Sequence, residues 1–218
     1  NRRHKRDLVS LLLYISVNVA ALITLTALIF IIAYILIKGI PYLSTDLFAW
    51  EYTTENVSLL PALINTIFMT ILSLAVAVPV GVGSAIYLTE YAGRGNRLVS
   101  IIRITAETLS GIPSIVYGLF GSIFFVSLCG FGLSLLSGAL TLAIMILPLI
   151  MRSTEEALIA VPDMYREGSF GLGAGKLRTV FKILLPCAMP GIISGIILAI
   201  GRIVGESAAL IFTAGTIA

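Results

Sequence analysis

TLSGIPSIVYGLFGSIFFVSLCGFGLSLLSGALTLAIMILPLIM, residues 108–151, runs for 44 residues without one charged side chain. A helix crosses the hydrocarbon core of a bilayer with about 20 apolar residues, so the run holds two spans. Gly130 and Gly132 divide it, which places spans over about 104–128 and 133–151. Outward toward the amino terminus, 61–89 and 8–37 are two further apolar stretches. Toward the carboxyl terminus, 183–213 is a fifth, holding Arg202 and Glu206. The runs are continuously apolar and do not alternate, which excludes a transmembrane β-barrel. The expected fold is an all-α integral membrane protein with five transmembrane helices.

Composition agrees. Of 218 residues, 58% are hydrophobic and 11% charged, against about 25% charged in soluble domains. Mean hydropathy is +1.07. An ordinary cytoplasmic enzyme, a disordered chain and a nucleic-acid binder are excluded, despite a pI near 9.0. The formal charge of +3 matters less than its placement. Eleven of the fourteen basic residues fall in a tail (1–7), a turn (90–97) and a long hydrophilic loop (152–182). By the positive-inside rule these three face the cytoplasm, the amino terminus among them. The opposite connection, after Lys38, carries Asp46, Glu51, Glu55 and the only tryptophan, Trp50. Pro79 with Gly81 and Gly83 predicts a kink late in the second span. Cys129 and Cys187 fall at opposite membrane faces, so no disulfide is expected between them.

Three groups of residues rise above this background. The first is Arg166-Glu167-Gly168-Ser169-Phe170-Gly171-Leu172-Gly173, running on to Ile183-Leu184-Leu185-Pro186. A loop that merely fixes orientation accounts for its charges but not its glycines. Small residues at 168, 169, 171 and 173 give a short helix and turn that another protein surface approaches closely. Phe170, Leu172 and Leu177 supply apolar knobs for a partner's groove. The adjoining Gly171-Leu172-Gly173-Ala174-Gly175-Lys176 looks phosphate-cradling. The pattern G-x-x-x-x-G-K-[ST] fails at both ends, at Phe170 and Leu177, so this chain is not expected to hydrolyse ATP.

The second group is Arg202 and Glu206 within the fifth span. A charge at the bilayer centre costs about 2.5–3.5 kcal/mol or more, so such groups face a pathway or each other. At i,i+4 spacing they share a helical face and can pair. Gly201 and Gly205 form a small-xxx-small step that admits another helix. Two readings stand: a structural ion pair at a subunit contact, or a fixed guanidinium that helps an anion cross. The third group, Arg103 and Glu107, repeats that spacing. It precedes SGIPSIVYG (110–118), where Gly and Pro free backbone amides and Ser114 offers a hydroxyl to a pathway. Snorkelling of Arg103 to the membrane surface is an equal alternative. The sole histidine, His4, lies in the tail, so no metal site is expected.

Glu167, the small pair after it, Gly173, Ile183, Leu185 and Pro186 stand at the spacing of the EAA signature, which this loop resembles. That signature belongs to the permeases of ATP-binding-cassette importers. Its two alanines are Gly168 and Ser169 here, which keeps the small size and weakens the helix. Arg94 to Gly121, with RITAETLSGIPSIVYGLFG (103–121) at its heart, the run from Leu147 to Pro186 and ILAIGRIVGESAALIFTAG (197–215) are similar to phosphate-importer permeases of the PstA type. Gly205-Glu206-Ser207-Ala208-Ala209 departs from the G-E-T-M-A-like run of the sister PstC-type permease. The resemblance implies a type I importer fold with a coupling helix holding Arg166, Glu167, Gly168, Ser169 and Gly173. It implies a translocation pathway through Arg202, Glu206, Arg103, Glu107 and Ser114, and no catalytic residues.

The implied partners are a PstC-type permease, a homodimeric PstB-type ATPase and an extracytoplasmic phosphate-binding protein, with membrane lipid and no nucleic acid. No cofactor is expected in this chain, ATP and Mg belonging to the ATPase. The implied place is the bacterial plasma (inner) membrane, multi-pass. The family carries a sixth span, expected beyond Ala218. Guanidinium holds phosphate oxygens bidentately, which suits Arg202 to an anion. The same architecture carrying sulfate, molybdate or phosphonate stays open, as does, further off, a self-contained ion-coupled transporter.

Overall fold

The structure, a computed structural model, describes residues 2–53, 58–92 and 97–215. Glu55 and Arg94, placed above in the connections, lie outside these residues, and so do the side chains of the basic tail. The chain divides into two units, residues 1–61 and 62–218.

In the first unit, helix α1 runs Arg2–Gly39. Its polar residues return their donors to the preceding turn. Asn18 Nδ2 donates to Tyr14 O at 2.7 Å, Thr24 Oγ1 to Ala20 O at 2.8 Å and Thr26 Oγ1 to Leu22 O at 2.7 Å. Such bonds give polar side chains a partner within the helix where hydrocarbon offers none. Pro41 ends the helix in the tight turn Ile40–Tyr42, and Thr45–Phe48 forms a second. The Ser58 hydroxyl then donates to the Leu47 and Ala49 carbonyls.

In the second unit α2 (Leu60–Ile86) continues through Pro79 and ends in a wide π-type turn, Tyr87–Tyr91. Next come α3 (Arg97–Ser110) and α4 (Ser114–Gly121), the latter extended by a π-type turn to Leu128. Gly130 and Gly132, at φ +70 and +65°, reverse the chain into α5 (Leu135–Ile159). Then follow α6 (Asp163–Gly171), α7 (Lys176–Thr179), α8 (Leu185–Val204) and α9 (Ala208–Thr213).

Helix α5 is the hub. Its Leu142, Met145, Ile146 and Ile150 are fully buried, packed with Ala77 of α2, Tyr117 of α4 and Ile203 of α8. Lipid tails are as apolar as leucine, so helices hold together here by close packing. Glycines provide it. Gly81 of α2 sits under Ile150, and Gly121 of α4 against Thr141. A Cβ on Gly191 of α8 would lie 2.7 Å from Ala157 Cβ, and one on Gly195 2.5 Å from Ser153 Cβ. The small-xxx-small step that α8 uses inside this unit is therefore 191/195. At Gly201, by contrast, a Cβ would meet nothing within 4 Å.

Among the described residues four helical segments are long and apolar enough to cross a membrane: Val9–Tyr42, Leu60–Tyr91, Leu135–Ile159 and Lys176–Val204. A fifth is the pair Val99–Ser110 and Ser114–Leu128, bent by 103°. The third span, expected as one helix over 104–128, is thus broken at 111–113. Pro113 has no N–H to donate and Gly111 weakens the turn before it. The Tyr117 hydroxyl bridges the break by donating to Leu109 O at 2.7 Å. The expected 133–151 span lengthens to Ile159, and the 183–213 span instead starts earlier, at Lys176, and ends earlier, at Val204, with a separate α9. The loop expected over 152–182 shrinks accordingly.

Candidate functional site

Helices α3, α5 and α8 line an open cavity of about 520 Å³ that carries three arginines and three glutamates. Arg103 and Glu107 come from α3, Arg152, Glu155 and Glu156 from α5, and Arg202 from α8. Arg103 Nη2 lies 2.5 Å from Glu155 Oε1. Arg152 Nη1 lies 3.7 Å from Glu107 Oε1, and its Nε donates to Glu156 Oε1 at 3.0 Å. Arg202 makes no ion pair among the described residues. Gly191 against Ala157 and Gly195 against Ser153 fix the antiparallel register of α8 on α5. That register sets Arg202 level with Ile146, about midway along α5 and within a turn of Pro148 and Leu149, which line the same cavity. The paired charges cluster nearer the α6 end.

The structure brings Arg103, Glu107 and Arg202 together but breaks both expected i,i+4 pairs. Arg103 reaches across to α5 and leaves Glu107 to Arg152. Helix α8 stops at Val204, so Glu206 has no helical relation to Arg202. Its Oε1 instead accepts the Ala209 N–H at 3.1 Å and caps α9. Ser114 opens α4 away from the cavity, and Ser110, at the end of α3, lines it instead. Arg152, Glu155 and Glu156 were missed because the charges after Met151 read as loop. No glycine or proline stands between Met151 and Pro162, and that absence of a stop signal carries the helix onward.

Helix α6 carries the loop motif. Pro162 precedes it, and Gly173, at φ +79°, follows its end. Glu167, Gly168, Met164, Phe170 and Leu172 are exposed. Arg166 and Ser169, expected on the coupling surface, turn inward. Ser169 Oγ shares a 2.8 Å hydrogen bond with Thr179 Oγ1 of α7. Arg166 Nη2 lies 2.7 Å from Glu90 Oε1 in the turn that ends α2. The bond to Glu90 lifts the Arg166 pKa above the usual arginine value, so the charge is fixed. Among the described residues no group of three or more His, Cys, Asp or Glu is placed to hold a metal ion.

Residues 77–217 match the family described as the binding-protein-dependent transport system inner membrane component. The match takes in α3 to α9 and every residue of the charged cavity. This chain belongs to that family. As an inner-membrane transport component it is 38% identical over 205 residues to the probable ABC transporter permease protein YqgI of Bacillus subtilis. That alignment covers 91% of this chain and 68% of YqgI. The phosphate transport system permease protein PstA 1 of Mycobacterium tuberculosis is 42% identical over 71% of this chain and 49% of its own length. PstA of Haemophilus influenzae is 37% identical over 90% and 70%. This family member thus spans about half to two thirds of such relatives. Its fold matches the MetNI methionine ABC transporter in inward-facing conformations, with a TM-score of 0.55 at 25% identity. The match covers 67% of this chain and 68% of that one.

Proposed function

We propose that this chain is a permease subunit of an ATP-driven importer for inorganic phosphate, and that the anion meets Arg202 in the charged cavity. The observation that carries the reading is a guanidinium midway along α5 without an ion-pair partner among the described residues. Around it, Arg103 and Arg152 are matched by carboxylates. Relatives named as phosphate permeases, aligned over most of the chain, support the choice of anion. A guanidinium presents a planar fork that fits phosphate oxygens. Between Arg202 and α6, the Arg103–Glu155 contact joins α3 to α5. An anion moving that way exchanges places with carboxylates, so each hold is brief.

By the positive-inside rule the basic segment that bears α6 faces the cytoplasm, and the same rule applied to the basic tail puts the amino terminus in the cytoplasm. The exposed face of α6 docks on an ATPase, which alone holds ATP and Mg. A second permease completes the pathway and an external binding protein delivers the solute. This chain holds no catalytic residue. Deletion of its gene tests the reading. Phosphate uptake from micromolar phosphate falls, returns with the wild-type gene and does not return with Arg202→Gln. Undiminished uptake in a strain with no second phosphate importer overturns it, and loss of sulfate or molybdate uptake in its place assigns the chain to that oxyanion.

A further inference from the structure

Arg166 engages all five of its N–H donors inside the chain. Nε and Nη2 reach Glu90 Oε1 at 3.2 and 2.7 Å, and Nη2 also reaches Leu158 O at 3.0 Å. Nη1 reaches Val161 O at 2.9 Å and Asp163 Oδ1 at 3.1 Å. A guanidinium has five donors in a fixed fork, so none remains for another protein. Its side chain is 17% exposed and that of Glu90 8%, while neighbouring Glu167 faces outward.

The acceptors belong to three places. Glu90 lies in the turn that ends α2, and Asp163 opens α6. The Leu158 and Val161 carbonyls lie at and just past the end of α5, where the helix dipole favours a cation. Lys176 Nζ, 5.1 Å from the Tyr91 ring centroid, ties the same turn to α7. Helix α6 is thereby fastened from behind to the ends of α2 and α5. Leu158 follows Glu155 by three residues, a rise of about 4.5 Å along the helix. The fastening sits one turn from the Arg103–Glu155 contact.

We infer that Arg166 and Glu90 form the joint through which a displacement of α6 reaches α2 and α5, and through α5 the closure of the charged cavity. Both are positioning residues that touch neither solute nor ATPase. The inference rests on the permease reading, in which a partner moves α6. Lysine at 166 keeps the charge but loses the fork that spans three elements. Glutamine at 90 keeps the shape but gives up the charge-assisted bonds.

The test uses the full-length chain in its complete complex in membrane vesicles. Phosphate uptake and ATP hydrolysis are recorded on the same preparations of wild type, Glu90→Gln and Arg166→Lys. The ATPase co-purifies at the wild-type level and hydrolysis persists, while phosphate taken up per ATP falls about fivefold or more. Unchanged uptake per ATP in both variants overturns the joint. Loss of uptake in proportion to loss of bound ATPase overturns it too, since Arg166 then builds the docking surface. Where Glu90→Gln does not accumulate, Glu90→Asp shortens the reach and carries the same readout. A wild-type complex that takes up sulfate or molybdate in place of phosphate overturns the substrate reading alone, and that solute's ratio then decides the joint.

Discussion

Arg103 of α3 holds Glu155 of α5 at 2.5 Å although Glu107 stands one turn away on its own helix. The choice follows hydration. Glu155 is 12% exposed and Glu107 72%, and the less hydrated carboxylate gains more from a counter-charge. The contact joins two helices across the cavity, which an i,i+4 pair within α3 could not do. Arg202, by contrast, has no ion-pair partner among the described residues.

Arg202→Gln removes that guanidinium without emptying the space it fills. Uptake by the assembled complex is expected to fall at least about tenfold, the scale of one lost charge-assisted bond. Arg202→Lys retains a charge without the fork and falls between the two. Initial rates of labelled phosphate uptake at matched complex levels check this, and wild-type rates in Arg202→Gln would reduce the residue to packing.

Glu155→Gln releases Arg103 and adds a second unpaired guanidinium to the cavity. The anion is then held more tightly and leaves more slowly, so the half-saturating concentration and the maximal uptake rate both fall. A full concentration series separates this from simple damage, which lowers the maximal rate alone.

Glu206 is a cap on α9 and not a partner of Arg202. Glu206→Gln keeps a carbonyl to accept the Ala209 N–H and leaves uptake within about twofold. Glu206→Ala loses the cap, costing about 0.5–2 kcal/mol, which appears as a lower melting temperature of the purified complex. Equal loss of transport in both variants would restore the ion-pair reading.

Gly195→Leu forces a side chain into Ser153 and separates α8 from α5. Overpacking of this kind costs about 1–3 kcal/mol, read as a lower thermal unfolding temperature in detergent. Gly168→Ala, inside α6 where a Cβ meets nothing within 4 Å, does not lower that temperature and raises it slightly through helix propensity.

The spans were legible because uncharged runs longer than a bilayer have few other uses, and Gly130 and Gly132 marked a real reversal. The short helix and turn at 163–173 were legible from the spacing of their small residues. Which of the helix's side chains face outward was not, since Arg166 turns inward only because Glu90, 76 positions earlier in the chain, waits behind it. Pairing by i,i+4 failed for a related reason. Sequence neighbours on a helix compete with partners on other helices, and here α5 supplied the better-buried carboxylate. At Glu206 the local cue itself misled, because Gly205 ends the helix on which the spacing depended.

Reconstitution tests the central claim most directly. The full-length chain is placed in proteoliposomes with its second permease and ATPase, and labelled phosphate is supplied on the external binding protein. The expected result is saturable uptake that requires ATP and the ATPase, resists excess sulfate, and is lost with Arg202→Gln. Uptake by this chain without the ATPase, or uptake indifferent to Arg202→Gln, would contradict it.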